Sequence, residues 1–151
     1  MLRNAMLGAG IIAALMLPQV GHAQSKFGTE AEAKLMLEKA IDRIKSDRTS
    51  ALALMQKGEA GSRDRDLYVF CANASDSVFT VHPSLFGKKL REVKDKNGKA
   101  LGEEMMTVAT EGKFNVVTYY WPRPGANTTP VEKVSFVTRV ADQVCGVGYY
   151  K

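Results

Sequence analysis

The spacing of apolar residues after Thr29 predicts a long amphipathic helix at the start of the folded region. Thr29 and Glu32 have the spacing of a capping box, in which each side chain binds the backbone N–H of the other residue. The apolar positions that follow recur at helical intervals and share one face: Ala33, Leu37, Ala40, Ile41 and Ile44. We expect this helix to end at Ser46 and Asp47, and a shorter helix to cover residues 49–57.

Five later stretches have the β-branched and aromatic composition of strands. The first two, residues 67–73 and 78–82, are separated by a tight polar turn, so we expect them to pair as a hairpin. The other three strands are predicted at the C-terminal end, with a broad loop after the first of them: residues 114–121, 131–140 and 143–150.

The region between the hairpin and the third strand is predicted to be an irregular insert that ends in a helix. Pro83 has no N–H to donate to a sheet and ends the second strand. Residues 84–97 are mixed, and residues 99–111 have helical spacing up to Gly112. Strands joined by hairpins and flanked by helices predict an α+β fold with an antiparallel sheet. The long helix is expected on one face of the sheet and the insert over the other, with a cavity beneath the insert.

The first 23 residues have the composition of a secretory signal peptide. Arg3 supplies a positive charge, residues 5–17 are apolar and uncharged, and small residues precede a cleavage site after Ala23. A membrane-spanning helix needs about 20 apolar residues, so a cleaved leader is favoured over an anchor. We therefore expect one domain over residues 24–151, soluble and located in the periplasm or secreted.

Charge and cysteine content bear on two properties of the protein: whether it binds nucleic acid and whether it contains a disulfide. The net charge is +5, and no run of five like charges occurs, so nucleic-acid binding is not expected. Cys71 and Cys145 are the two cysteines of the chain. An even pair in an exported protein favours a disulfide, although both lie in apolar runs where free buried thiols also occur.

Seven short motifs follow one another along residues 31–151: DLYVF, VHP, GKKL, DKNGK, YYWPRPG, VEKVSFV and GVGYYK. This ordered series resembles the single Cache domain, an extracytoplasmic sensor module of bacterial chemoreceptors and sensor kinases. The resemblance implies a PAS-like five-stranded antiparallel sheet behind a long N-terminal helix, with a small-molecule pocket under the insert. It also implies a small organic acid, such as acetate or propionate, as the common kind of ligand, although the family binds other small molecules too. A freestanding exported domain of this kind is expected to act with a membrane receptor or kinase.

His82, Tyr119 and Trp121 are three candidate ligand contacts. His82 is the only histidine after the predicted leader and can donate to an anion. The alternative is that it hydrogen-bonds the backbone before Pro83. Tyr119 and Trp121 lie two residues apart on one strand, so they share a face and can form an aromatic wall. Ordinary core packing is the alternative for both.

Lys133, Arg123 and Tyr68 complete the candidate site. Lys133 interrupts an apolar strand, where a lysine either reaches out at an edge or pairs with an anion. Arg123 lies in the neighbouring loop and could pair with a carboxylate, or remain a solvated surface charge. Tyr68 stands near the entry of the first strand and is the weakest candidate.

Catalysis and metal binding find little support in the sequence. Nucleophile-elbow, phosphate-loop and dinucleotide-binding motifs are absent, and clustered histidines and thiols for zinc are missing. We therefore expect neither an enzyme nor a cofactor. Two function classes remain: a sensory module that binds a small molecule, and a protein-interaction subunit whose core is sealed.

Overall fold

The computed structural model describes residues 25–125 and 127–151, so the predicted leader lies outside the described residues. The described chain contains helices α1 (Glu30–Ser46), α2 (Arg48–Gln56) and α3 (Leu101–Val108), and a 3-10 turn at Leu90–Glu92. Its strands are β1 (Arg63–Asp64), β2 (Leu67–Asn73), β3 (Phe79–Val81), β4 (Asn115–Pro122), β5 (Pro130–Val140) and β6 (Gln143–Tyr150). In these two ranges, none of the helices has the length and apolar character that a bilayer crossing requires.

All strand pairs are antiparallel, in the order β1, β2, β6, β5, β4, and β3 also pairs with β2. The predicted α+β, PAS-like fold is confirmed, including the hairpin of β2 and β3. The described sheet has one strand more than the five expected. The additional strand is β1, a two-residue pairing in which Arg63 lies opposite Tyr68.

A local sequence signal fixes the start of α1, whereas a long-range pairing accompanies the end of α3. The Thr29 side chain accepts from the Glu32 N–H at 3.3 Å, and the Thr29 N–H donates to Glu32 at 2.8 Å, which completes the predicted capping box. The last helix ends at Val108 rather than at residue 111. The chain turns there because Thr110 pairs with Lys113 and Glu111 pairs with Arg139 of β5.

The sheet separates two apolar layers, as the alternation of side chains along a strand requires. One face packs against α1 and α2 through buried side chains that include Leu37, Ile44, Met55, Val69 and Val147. The other face packs under the insert, the region between β3 and β4, through Phe70, Leu90, Met105, Val117 and Tyr119. The predicted placement of the long helix and the insert is therefore confirmed.

A disulfide joins Cys71 and Cys145 on the helix-covered face. The two residues lie directly opposite each other in the register of β2 and β6. The predicted bond is thus present, and it ties together strands that are 74 positions apart in the sequence.

Candidate functional site

The six candidate side chains form one cluster on the insert side of the sheet. Tyr68 lies between His82 and Lys133: its ring centroid is 5.4 Å from the His82 ring and 3.9 Å from Lys133 Nζ. Tyr119 and Trp121 meet edge to face at 6.1 Å on β4. Arg123, in the loop after β4, stands 5.0 Å from the ring of Tyr150, which also faces Lys133. With Tyr150, the residues come together from the four strands β2, β4, β5 and β6 and from the loops that follow β3 and β4.

Lys133 is fully buried, and its ammonium group has no hydrogen-bond partner among the described residues. It stands opposite Tyr150 in the pairing of β5 with β6 and runs across β6 at Gly148. A Cβ atom at position 148 would lie 2.5 Å from Lys133 Cε, so only glycine leaves room for this path. The ammonium faces the rings of Tyr68 and Tyr150, at 3.9 and 4.8 Å, as a cation–π contact.

Burial lowers the pKa of Lys133 to about 7, and the nearby Asp66 carboxylate acts in the opposite direction. An ammonium without a counter-ion is costly to bury, because it loses its hydration and gains little in return. The cation–π contacts with the aromatic rings offset part of that cost. A bound anion would offset more of it, since it would offer a full charge and hydrogen-bond acceptors.

Three buried tyrosines belong to the same cluster as the lysine. Tyr119 shares a hydrogen bond of 2.9 Å with Ser135, and Tyr150 donates to the Pro122 carbonyl at 2.8 Å. Burial raises the pKa of Tyr68, Tyr119 and Tyr150, so all three keep their protons at neutral pH. Tyr68 and Tyr119 can act as neutral donors toward a small polar ligand, whereas the proton of Tyr150 is held by the Pro122 carbonyl.

His82 caps the backbone beside Pro83, which was the alternative to a contact with an anionic ligand. Its Nδ1 accepts hydrogen bonds from the backbone N–H groups of Ser84 and Leu85, both at 3.0 Å. Burial, with the charges of Lys133 and Arg63, lowers the pKa of His82 to about 3. The imidazole is therefore neutral, and its proton is assigned to Nε2 because Nδ1 accepts. A capping role through one nitrogen leaves the other nitrogen as a donor.

His82 should make the fold sensitive to mild acid. The unfolded chain binds a proton near the ordinary pKa of 6.5 and the folded chain only near about 3, so stability is lost as the pH falls below 6.5. Between pH 6.5 and 4 the loss should be about 3 kcal/mol. His82→Asn keeps an acceptor for the two N–H groups but does not titrate. Urea unfolding of this variant should therefore show a free energy of unfolding that falls by about 3 kcal/mol less between pH 6.5 and 4 than that of the wild type. The same pH dependence of the free energy of unfolding in both proteins would contradict the prediction.

Arg123 is engaged in an ion pair rather than free in solvent. Its Nε donates to Asp66 Oδ2 at 3.3 Å, and its guanidinium stacks on the Phe27 ring at 4.2 Å. The other oxygen of Asp66 accepts from the Gly28 N–H at 2.7 Å. One buried carboxylate thus holds both the loop after β4 and the segment that precedes α1.

Two spaces adjoin the cluster, and Tyr68, His82 and Trp121 line both. The inner cavity, between the sheet and the insert, has a volume of about 20 Å³ and is also lined by Leu90 and Met105. That is room for about one water molecule. The outer groove, under the loop after β4, has a volume of about 450 Å³ and includes Arg123. The cavity expected beneath the insert is thus present but small, and the larger space lies outside it.

Several residues of the cluster were not predicted from the sequence. Asp66, Ser135 and Tyr150 contribute the ion pair, the tyrosine partner and the second aromatic ring on the lysine. The two-residue period of β5 and β6 could have placed Ser135 beside Lys133 and Tyr150 on the same face. In residues 25–125 and 127–151, histidine, cysteine and acidic side chains form no group of three that could hold a metal ion.

The fold has clear counterparts among known proteins. The sequence model of a family described as Single Cache domain 2 matches residues 11–150. A methyl-accepting chemotaxis protein from Vibrio parahaemolyticus is 25% identical, with a TM-score of 0.61, over 80% of this chain and 87% of that chain. A periplasmic sensor domain of a chemotaxis protein is 29% identical, with a TM-score of 0.57, over 78% of this chain and 86% of that chain.

A third structure, which concerns carboxylic acid recognition by a Cache chemosensory domain, is 23% identical. Its TM-score is 0.58, over 78% of this chain and 84% of that chain, and it shows the fold alone. The match of the family over nearly the whole sequence, together with the sheet, the long first helix and the insert, leads to one assignment. The chain belongs to the Single Cache domain 2 family of sensory ligand-binding modules.

Proposed function

We propose that this protein is an extracytoplasmic sensor module that binds a short carboxylate at the cluster around Lys133. The observation that carries the proposal is the buried ammonium of Lys133, which has no hydrogen-bond partner in the described chain. A carboxylate would pair with it and remove the cost of an isolated buried charge. The hydroxyl groups of Tyr68 and Tyr119 and the Nε2–H of His82 are further donors within the same cluster.

The inner cavity must enlarge before it can hold even a small acid. At about 20 Å³ the cavity holds no organic acid as it stands, so binding there requires a lining side chain to move. Trp121 is the natural candidate, because it is only partly buried and borders both the inner cavity and the outer groove. The acid would enter from the groove, with its alkyl end against Trp121 and Tyr68.

A thermal-shift titration with acetate and propionate tests the proposal, with propionamide as a neutral control of the same shape. An acid at about 100 times its Kd should add about 2.7 kcal/mol of stability. Above pH 7 the Kd should rise by about tenfold per unit, because only the protonated lysine pairs with the acid. Lys133→Met should abolish the shift and Lys34→Met, on the exposed face of α1, should not. A shift that the amide reproduces would contradict a carboxylate ligand.

A location outside the cytoplasm and action through a membrane receptor or kinase belong to the same proposal. The leader pattern and the disulfide support an oxidising compartment. The small inner cavity favours one alternative, a protein-interaction subunit that uses the fold without a small ligand. Absence of any stabilisation by millimolar acids would favour that alternative.

A further inference from the structure

Strand β4 is the last strand of the sheet, and its outer edge pairs with no other strand of the described chain. The Glu132 carbonyl of β5 accepts from the Lys151 N–H, so it points away from β4. Because Tyr120 lies directly opposite Glu132, this pair exchanges no hydrogen bonds, and the backbone groups of Tyr120 point away from β5. By alternation along the strand, those of Val116 and Thr118 point outward as well. The outer edge of β4 can therefore receive another strand.

Two side chains of the insert cover part of this edge. Asp95 Oδ2 accepts from the Tyr120 N–H at 3.2 Å, and Lys99 Nζ donates to the Thr118 carbonyl at 2.6 Å. Asp95 is buried, and its other oxygen accepts from two backbone N–H groups of its own turn, both at 2.9 Å. The carboxylate that shapes the turn at residues 95–99 therefore also fastens this turn against β4.

The composition of β4 favours pairing with another strand. Six of its eight residues are β-branched or aromatic, and none is charged. Val116 and Tyr120 are 54% and 42% exposed, and Thr118 between them is exposed as well. Charged side chains usually protect an open strand edge, and β4 supplies none of its own. The protection that this edge has comes from the charged side chains of the insert.

We propose that the outer edge of β4 is a docking surface for β4 of a second copy, and that Asp95 and Lys99 close it in the single chain. Two identical strands can pair antiparallel about a two-fold axis at Thr118, which puts Val116 of each strand opposite Tyr120 of the other. Pairs of β-branched and aromatic side chains stabilise such a ladder, and no like charges meet across it. The two-fold axis limits the assembly to a dimer. The proposal does not depend on a ligand.

Sedimentation equilibrium of the protein purified after export tests the proposal through the Kd of the dimer. Asp95→Ala/Lys99→Ala, the opened variant, should lower this Kd by about tenfold for each backbone group released, the equivalent of one net hydrogen bond. The control Glu92→Ala/Lys96→Ala also removes one acid and one base from the insert, both exposed, and should leave the Kd unchanged. Lys99→Ala alone keeps the Asp95 turn and should lower the Kd by about tenfold. A cooperative urea transition confirms that each variant is folded.

Position 118 locates the contact, because it lies opposite itself across the two-fold axis. Thr118→Lys in the opened variant should restore the monomer, since two like charges would meet, whereas Thr49→Lys on the exposed side of α2 should not. Thr118→Cys in the opened variant should cross-link two chains on mild oxidation, because residues directly opposite each other lie within reach of a disulfide. Val116→Cys should not cross-link, because it lies opposite Tyr120. The two native cysteines are already paired.

Three results would overturn the proposal. An unchanged Kd in the opened variant or, if that variant does not fold, in Lys99→Ala would mean that these side chains do not close the edge. A dimer that survives Thr118→Lys would place the contact on another part of the surface. Cross-linking of Thr118→Cys that is equally fast with and without the opening substitutions would mean that the edge is already open in the wild type.

Discussion

Lys133→Met should give a more stable protein at pH 7, by about 2 kcal/mol, that no longer responds to acids. The gain arises because methionine fills a similar volume in the fully buried position without an ammonium group to desolvate. The stability of the wild type should also rise with pH, whereas that of the variant should not.

The sign of this pH dependence follows from the protons bound in each state. Lys133 has a pKa of about 7 in the folded protein and the ordinary value of 10.5 when unfolded. Between these values the unfolded chain binds more protons, so the free energy of unfolding increases with pH. From pH 7 to 9.5 the increase should be about 3 kcal/mol. The buried tyrosines act in the opposite direction only near pH 10 and above, because their pKa values are raised.

Urea unfolding of the wild type and of Lys133→Met at pH 7 and 9.5 measures the effect. Lys34→Met serves as the control, since it removes the same charge from an exposed position on α1. The control should show the same increase in the free energy of unfolding from pH 7 to 9.5 as the wild type. If Lys133→Met shows this increase as well, the buried lysine does not change its protonation on folding.

Loss of the Cys71–Cys145 disulfide should cost about 4 kcal/mol of stability, by the loop-closure estimate for a separation of 74 residues. The bond closes most of the second half of the chain into one loop, so its removal gives the unfolded state more freedom than any local change would. Both cysteines are fully buried, so replacement by alanine should add a smaller packing penalty.

The measurement compares urea midpoints with and without a reductant. The wild type should lose stability on reduction, and the double variant Cys71→Ala/Cys145→Ala should be insensitive to reductant. A wild-type midpoint that does not move after complete reduction, checked by thiol counting, would contradict the predicted contribution.

Elements whose signals are local were predicted well from the sequence. The α1 capping box, the β2–β3 turn and the strands β4 to β6 depend on residues close to one another in the chain. The end of α3 was predicted too late, because Glu111 pairs with Arg139 across the fold. Strand β1 was missed for a different reason: two residues in a polar stretch are too few to show a periodic pattern.

The six candidate side chains lie together in the structure, but most of their contacts could not be predicted from the sequence. The two-residue period of β4 identified Tyr119 and Trp121, and its place in an apolar strand identified Lys133. The resemblance to the family favoured a pocket role for all three. The partnership of Arg123 with Asp66 joins positions 57 residues apart, which no spacing rule connects. The cavity volume was beyond prediction, because it depends on how Leu90 and Met105 pack against the sheet.

The position of the disulfide has a consequence for how the protein withstands cleavage. Cys71 and Cys145 enclose the insert, β4, β5 and the loop at residues 122–130. A protease that cuts once anywhere inside this span leaves two fragments that stay covalently joined. Both fragments also remain paired through β2 and β6. A nicked molecule would keep its full mass until a reductant separates the pieces.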